Sequence, residues 1–165
     1  MKLRAAHRHV AWLLTVVGAT ILLGAPLEAQ DQSAGKRIWS RTADCTRCHG
    51  WAGDGSPAGP GFPVGANLRL STITREAFIE TVMCGRPGTE MPSFGRGAWT
   101  TYSCFGLTAE QVGAARPPAD ATQLSNEQIA TLADYAYVFV VGRGPITRAD
   151  CEAYFGAGAA RCALY

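Results

Sequence analysis

The feature that most constrains this chain is Cys45-Thr46-Arg47-Cys48-His49, which brings two thiols and an imidazole together in one short run. Thiols at this spacing can add to the two vinyl groups of one haem, and the adjoining His is then placed to bind the iron as its proximal ligand. A zinc site would need two more ligands, and no second Cys pair has zinc-like spacing. A thioredoxin-like pair would follow a strand in a βαβ unit, which is not indicated here. The motif therefore predicts one covalently attached haem c.

The N-terminus has the three parts of a secretory signal peptide. Lys2, Arg4 and Arg8 form a positive segment, residues 10–23 are apolar, and Ala29 is a small residue before a cleavage point. The apolar run is shorter than the roughly 20 residues that a membrane-spanning helix needs. We therefore expect residues 1–29 to be removed and the protein to be periplasmic. A retained anchor, with membrane attachment only through this segment, is the alternative.

The charge balance excludes one class of partner. The chain has 15 Lys and Arg against 13 Asp and Glu, and loss of residues 1–29 would leave 12 of each. Nucleic-acid binding needs a clustered basic footprint, so we expect no nucleic-acid partner. Lys36 is the single lysine beyond residue 29, which excludes a lysine-rich docking ring.

Six cysteines in an exported chain require an account of each thiol. Haem would take Cys45 and Cys48, and the other four allow three pairings. Loop closure favours neighbours in sequence, which predicts that Cys84 pairs with Cys104 and that Cys151 pairs with Cys162. The alternative is that one pair remains reduced.

Four segments have the pattern of helices. Residues 34–44 contain good helix formers ahead of the motif, and residues 75–83 follow Thr74, an N-cap type of residue. Ser125 and Gln128 form a capping box for a helix that should reach about residue 141. A short helix is also expected at 109–114.

The segment after His49 is rich in Gly and Pro and predicts a loop on the proximal side of the haem. A ligating His usually donates its second ring N–H to a fixed acceptor. The carbonyl of Pro60 is the candidate acceptor, and that of Pro63 is the alternative.

A second ligand is predicted at Met91, in the run from Gly88 to Phe94. A thioether is a soft iron ligand, and a Met opposite His raises the reduction potential and closes the iron to small ligands. Met83 is the rival, but it ends an amphipathic helix and is better interpreted as a packing residue.

These residues resemble the class I monohaem c-type cytochromes over about residues 34–144. The matching features are a helix with Gly35 and Trp39 running into Cys45-Thr46-Arg47-Cys48-His49-Gly50, a Gly-Pro loop leading to Asn67-Leu68, the run Gly85-Arg86-Pro87-Gly88-Thr89-Glu90-Met91-Pro92, and a last helix introduced by Leu124-Ser125.

The resemblance implies an all-α cytochrome c fold with three to four helices around one haem. The first and last helices would cross near Gly35, Trp39 and Tyr135. It also implies His49 and Met91 as axial ligands, with the Pro60 carbonyl accepting from His49. Two departures are an insertion at about 95–123 and an extension at 146–165, each held by a disulfide, so that the cytochrome domain would cover residues 30–145.

The function expected from these features is one-electron transfer in the periplasm, without catalysis. His and Met would fill both axial positions, which leaves no open site for a substrate. The expected partners are a periplasmic redox protein, such as a dehydrogenase, and a respiratory-chain acceptor. One alternative is a haem subunit permanently docked in a dehydrogenase or oxidase. Another is a haem enzyme or gas sensor in which Met91 is labile.

Overall fold

The computed structural model describes residues 33–165. The predicted signal peptide at residues 1–29 lies outside the described residues. Within residues 33–165, none of the helices combines the length and the apolar character that crossing a bilayer requires.

The first helix leads directly into the Cys45–His49 motif. Helix α1 is α-helical over residues 33–37 and continues as a π-helix over Ile38–Thr42. The Ala43 N–H donates to the Ile38 carbonyl at 3.0 Å, which widens the last turn. Asp44, with a φ of 47°, then redirects the backbone into the single turn of α2, Thr46–His49. The first predicted helix is confirmed, with a wider last turn than expected.

The two capped helices lie where the sequence predicts them. Helix α3 spans Arg75–Cys84, and the Thr74 hydroxyl accepts from the Ala77 N–H. Helix α5 spans Asn126–Phe139 and begins at the predicted capping box of Ser125 and Gln128. It ends two residues before the predicted boundary, because Val140 leaves the helical region with φ −125° and ψ −64°.

Helix α1 crosses α5 at Gly35, as the resemblance implied. A Cβ on Gly35 would collide with Tyr135 and would lie 2.7 Å from the Thr131 carbonyl oxygen. Glycine permits this approach because it brings no side chain to the contact. Trp39 and Tyr135 are buried in the main core beside the crossing. The other large members of this core are Ile38, Phe78, Val82, Phe94, Leu124, Ile129, Leu132, Val140 and Val141.

The all-α prediction is wrong in one respect, because two short strands pair beside α3. Strand β1, Ser93–Gly95, runs parallel to β2, Ala119–Leu124. A three-residue strand is too short to show an alternating pattern, and Pro117 and Pro118 exclude a helix just before β2. Four helical segments of residues 33–165 span eight or more residues, namely α1, α3, α5 and α6 (Arg148–Phe155). The first three correspond to predicted helices, whereas α6 lies in the extension, where no helix was predicted. The single-turn helices add to these.

The insertion is attached to α3 by a disulfide. Cys84 at the end of α3 is bonded to Cys104, and both are buried with Trp99 in a second small core. The Trp99 ring N–H donates to the Cys84 carbonyl at 2.6 Å. The predicted short helix is α4, Ala109–Val112, followed by a 3-10 turn at Gly113–Ala115. The predicted pairing of Cys84 with Cys104 is confirmed.

The C-terminal extension has a helix of its own. Helix α6 begins at a capping box formed by Thr147 and Asp150, and a 3-10 segment follows at Ala160–Leu164. Cys151 and Cys162 form the second predicted disulfide, and both are fully buried. The extension is therefore a small folded unit and not a loose tail.

Removing the disulfides is expected to destabilise the protein in a ranked order. Replacing Cys151 and Cys162 by Ser should lower the free energy of unfolding by about 3 kcal/mol, because the unfolded chain regains the entropy of an open loop. Replacing Cys84 and Cys104 by Ser should lower the free energy of unfolding slightly more, because that disulfide closes a longer loop, with a sequence separation of 20 against 11. Urea unfolding of both double-Ser variants tests the order, and two unchanged midpoints would contradict it.

Candidate functional site

The motif residues are held together by one helical turn. Cys45 caps α2, and Cys48 and His49 lie within it. The His49 N–H donates to the Cys45 carbonyl at 2.9 Å, which fixes the spacing of the motif. Both thiols are free and half-buried, whereas the other four cysteines are in disulfides. Two unbonded thiols and an imidazole thus share one site.

The His49 ring is oriented by a backbone carbonyl, but not by the predicted one. Its Nδ1 lies 2.9 Å from the carbonyl oxygen of Ala66. Because a carbonyl only accepts, Nδ1 carries the hydrogen and Nε2 keeps its lone pair for a metal. Burial lowers the pKa of His49, and the bond to Ala66 partly opposes that shift. The ring is therefore neutral near pH 7, the state in which it binds iron.

The prediction that Pro60 or Pro63 is the acceptor is wrong. Two backbone hydrogen bonds to the motif bracket an outward excursion of the loop. The Ala58 N–H donates to the Arg47 carbonyl at 3.0 Å, and the Gly65 N–H donates to the Cys48 carbonyl at 2.8 Å. Pro60 lies on the exposed outer part of this excursion. The second bond returns the chain beside α2, which places the next carbonyl, that of Ala66, against the ring.

Gly65 packs against the His49 ring and leaves no room for a side chain. A Cβ on Gly65 would lie 2.7 Å from His49 Nδ1 and 2.9 Å from the Cys48 carbonyl oxygen. Such distances are shorter than ordinary van der Waals contacts. The ring, its acceptor and the motif backbone therefore form one close-packed cradle, a residue arrangement that fits a fixed proximal ligand.

Replacing Gly65 by Ala is expected to displace the His49 ring. Overpacking a close contact typically costs about 1 to 3 kcal/mol, and the displaced atoms include the ring nitrogen that bonds Ala66. Thermal unfolding and the absorption spectrum of the purified protein measure the effect. Gly59→Ala in the same loop is the matched control, because its Cβ would approach nothing closer than 3.9 Å. Equal behaviour of the two variants would contradict the cradle.

Burial also affects the two thiols. Desolvation is the main cause that raises the pKa of Cys45 to about 12. Desolvation likewise raises the pKa of Cys48, where Arg47 acts in the opposite direction and Glu90 adds to the rise. Cys45 of the motif and Met91 both pack against the main core.

The loop that ends at Met91 is closed by its own backbone. The Arg86 N–H donates to the Met91 carbonyl at 3.1 Å, and the Met91 N–H donates to the Thr89 hydroxyl at 3.3 Å. The Gly88 N–H donates to the carbonyl of Ala115 in the insertion at 2.8 Å. Met91 is half-buried and packs on the main core. Its side chain is therefore carried by an ordered loop, and iron ligation by Met91 stays a prediction.

Met83 occupies a different environment. It packs against both the main core and the small core around Trp99. Gly95 of β1 approaches its side chain so closely that a Cβ there would collide with it. These contacts agree with the interpretation of Met83 as a packing residue.

Arg69, a charged residue at the end of the segment that follows His49, is buried, which the sequence does not indicate. It is 2% exposed, and its Nη2 lies 2.8 Å from Asp150 Oδ2 in α6. Burial acts to raise the pKa of Asp150, but hydrogen bonds from Thr147 and the charge and hydrogen bond of Arg69 outweigh it, so that the pKa is lowered. An arginine between two leucines gives no sequence signal of burial, because its partners come from distant residues.

Within residues 33–165, no group of three or more His, Cys, Asp and Glu side chains is arranged to hold a metal ion by itself. The residues do fit a haem. Cys45 and Cys48 would hold its vinyl carbons, and His49 would bind its iron through Nε2.

Comparison with known protein families gives one match. Residues 30–102 match the family model described as cytochrome c oxidase, cbb3-type, subunit III. Neither the curated proteins nor the solved structures give a further match. The matched residues include the motif, the Ala66 acceptor and Met91. Over residues 30–102 the chain is therefore similar to a c-type cytochrome domain.

Proposed function

We propose that this protein is a periplasmic monohaem electron carrier that passes single electrons from a dehydrogenase or similar donor to a respiratory-chain acceptor. The observation that carries the proposal is the His49 ring, held through Nδ1 by Ala66 next to two free thiols. The haem would supply the one-electron couple. Cys45 and Cys48 would attach it, and His49 and Met91 would fill its axial positions.

The environment of the site supports electron transfer over catalysis. His49 is fixed by a hydrogen bond and by Gly65, and the Met91 loop is closed by backbone bonds. Rigid ligands change little between oxidation states, and a filled sixth position leaves no place for a substrate.

The experiment is to purify the mature protein from a periplasmic extract and to measure haem content, spectrum and redox behaviour. We expect one covalent haem per chain, a band near 695 nm that is typical of Met ligation in the resembled cytochromes, and slow reaction with carbon monoxide. Rapid carbon monoxide binding by the native reduced protein would instead indicate an enzyme or gas sensor.

A second candidate is a haem subunit that stays docked in an oxidase or dehydrogenase complex. The match to a family described as an oxidase subunit favours it. The exposed side chains of Tyr102, Phe105 and Leu107 on the insertion offer an apolar contact area. Gel filtration of a gently solubilised native extract distinguishes the two. A free carrier elutes at the mass of one chain, whereas a subunit elutes with other proteins in a fixed ratio.

A further inference from the structure

The C-terminal extension contacts the start of the segment that follows His49. We call residues 50–70 the proximal loop. The Trp51 ring lies 5.3 Å from Tyr154 and 5.0 Å from Phe155, measured between ring centroids. Tyr165, the last residue, is 5.9 Å from the same ring. An aromatic cluster thus joins the extension to a residue two positions from the proximal ligand.

The extension also contacts the end of the proximal loop, through Arg69. The guanidinium forms an ion pair with Asp150, and the two side chains are only 2% and 17% exposed. The guanidinium also donates to the Phe139 carbonyl at the end of α5 and to the carbonyls of Arg143, Gly144 and Pro145 in the turn that leads into the extension. A buried charge is costly without partners, so these bonds hold Arg69 in one place.

Short backbone links connect Arg69 to the acceptor of His49. The Asn67 side chain accepts from the N–H of Arg69 at 3.0 Å and from that of Leu70 at 3.3 Å. Across the loop, the Leu68 N–H donates to the Gly53 carbonyl at 2.8 Å. Ala66 therefore adjoins a segment that cannot move independently of Arg69.

We propose that Arg69 and Asp150 are positioning residues through which the C-terminal extension holds the Ala66 carbonyl against His49, and that this contact helps to set the reduction potential of the haem. The inference rests on the proposed function, because it requires His49 to be the iron ligand. It assigns to the extension a role on the haem itself, separate from any role in partner docking.

The sign of the effect follows from the hydrogen bond. A bond from Nδ1–H to a carbonyl makes the imidazole a more basic ligand, which favours ferric iron. When the Ala66 carbonyl is less firmly held, that bond weakens and ferric iron loses stabilisation. Loosening the ion pair should therefore raise the reduction potential.

Two variants separate positioning from simple electrostatics. Asp150→Asn removes a negative charge, which would raise the potential by either route. The double variant Arg69→Met with Asp150→Asn removes both charges and keeps the net charge of the wild type, so only a positional effect remains. Replacing a buried ion pair by uncharged side chains is often neutral for stability, so the double variant is expected to fold.

The control is Glu152→Gln, which breaks the exposed Arg148–Glu152 pair on the same helix and leaves Arg69 untouched. Two quantities are measured for each purified haem protein. One is the midpoint potential, and the other is the rate of hydrogen exchange at the amides of Gly142 and Gly144, whose N–H groups donate to the carbonyls of Leu68 and Arg69. We expect faster exchange at these glycines in both Asp150 variants. We expect the double variant to shift its electron-transfer equilibrium with a fixed redox partner about threefold, or about 28 mV upward for a one-electron couple.

A double variant with the potential of the wild type would overturn the proposal, and so would an equal shift in Glu152→Gln. If the double variant does not fold, Asp150→Asn decides: a raised potential with unchanged glycine exchange would reduce the effect to charge alone and overturn positioning. The two proposals fail in different ways. A wild-type protein that carries no haem would refute the proposed function, whereas variants that carry haem but have the same potential as the wild type would refute only the positioning role.

Discussion

Replacing Cys45 and Cys48 together by Ala is expected to abolish covalent haem attachment. These are the two free thiols of the chain, because the remaining four cysteines form disulfides. Without them no pair of sulfurs can form the two thioethers, however well His49 is placed. A haem stain after denaturing electrophoresis measures the loss, which should be complete.

The matched control replaces two other cysteines. The variant with Ser at Cys151 and Cys162 also removes two sulfurs, but they lie in the extension. It should keep its stained haem band even if its unfolding midpoint falls. Haem that survives denaturation in the Cys45 and Cys48 variant would contradict the attachment site.

Replacing Met91 by Ala is expected to lower the reduction potential and to open the iron to external ligands. Axial ligands account for much of the roughly 0.8 V range of haem proteins, so loss of a thioether should lower the potential by on the order of 100 mV. Carbon monoxide binding to the reduced protein should become fast. Redox titration and stopped-flow absorbance measure the two effects.

Met83→Ala is the matched control for Met91, because both are half-buried thioethers that touch the main core. It removes contacts with two cores, so it should cost about 2 kcal/mol of stability and leave the potential nearly unchanged. The reverse pattern, with the potential lost in Met83→Ala, would assign the distal ligand to Met83.

Much of the site was predictable because its signals are local. The two thiols and His49 are chemically distinctive at a short fixed spacing, and α2 holds them as that spacing requires. The capping box at Ser125 works within one helical turn. Both disulfides join neighbouring cysteines, the pairing that loop-closure entropy favours.

The acceptor of His49 is not predictable from the residues near it in the chain. Any backbone carbonyl of the Gly-rich loop can accept a hydrogen bond, whether or not it belongs to a proline. Which carbonyl reaches Nδ1 depends on the path of the whole loop, and the bond from Gly65 to Cys48 brings Ala66 to the ring. The side chain of the accepting residue takes no part, so its identity carries no signal.

The amino-acid sequence by itself determined the haem motif, the capped helices and the disulfide pairs, since each depends on residues close together in the chain. The tertiary structure decided the strand pair, the Ala66 acceptor and the burial of Arg69. Arg69 is typical of exposed positions by composition. It is buried because Asp150 and the carbonyls before α6 surround it, and those groups meet it only once α5 and the extension have folded over the loop.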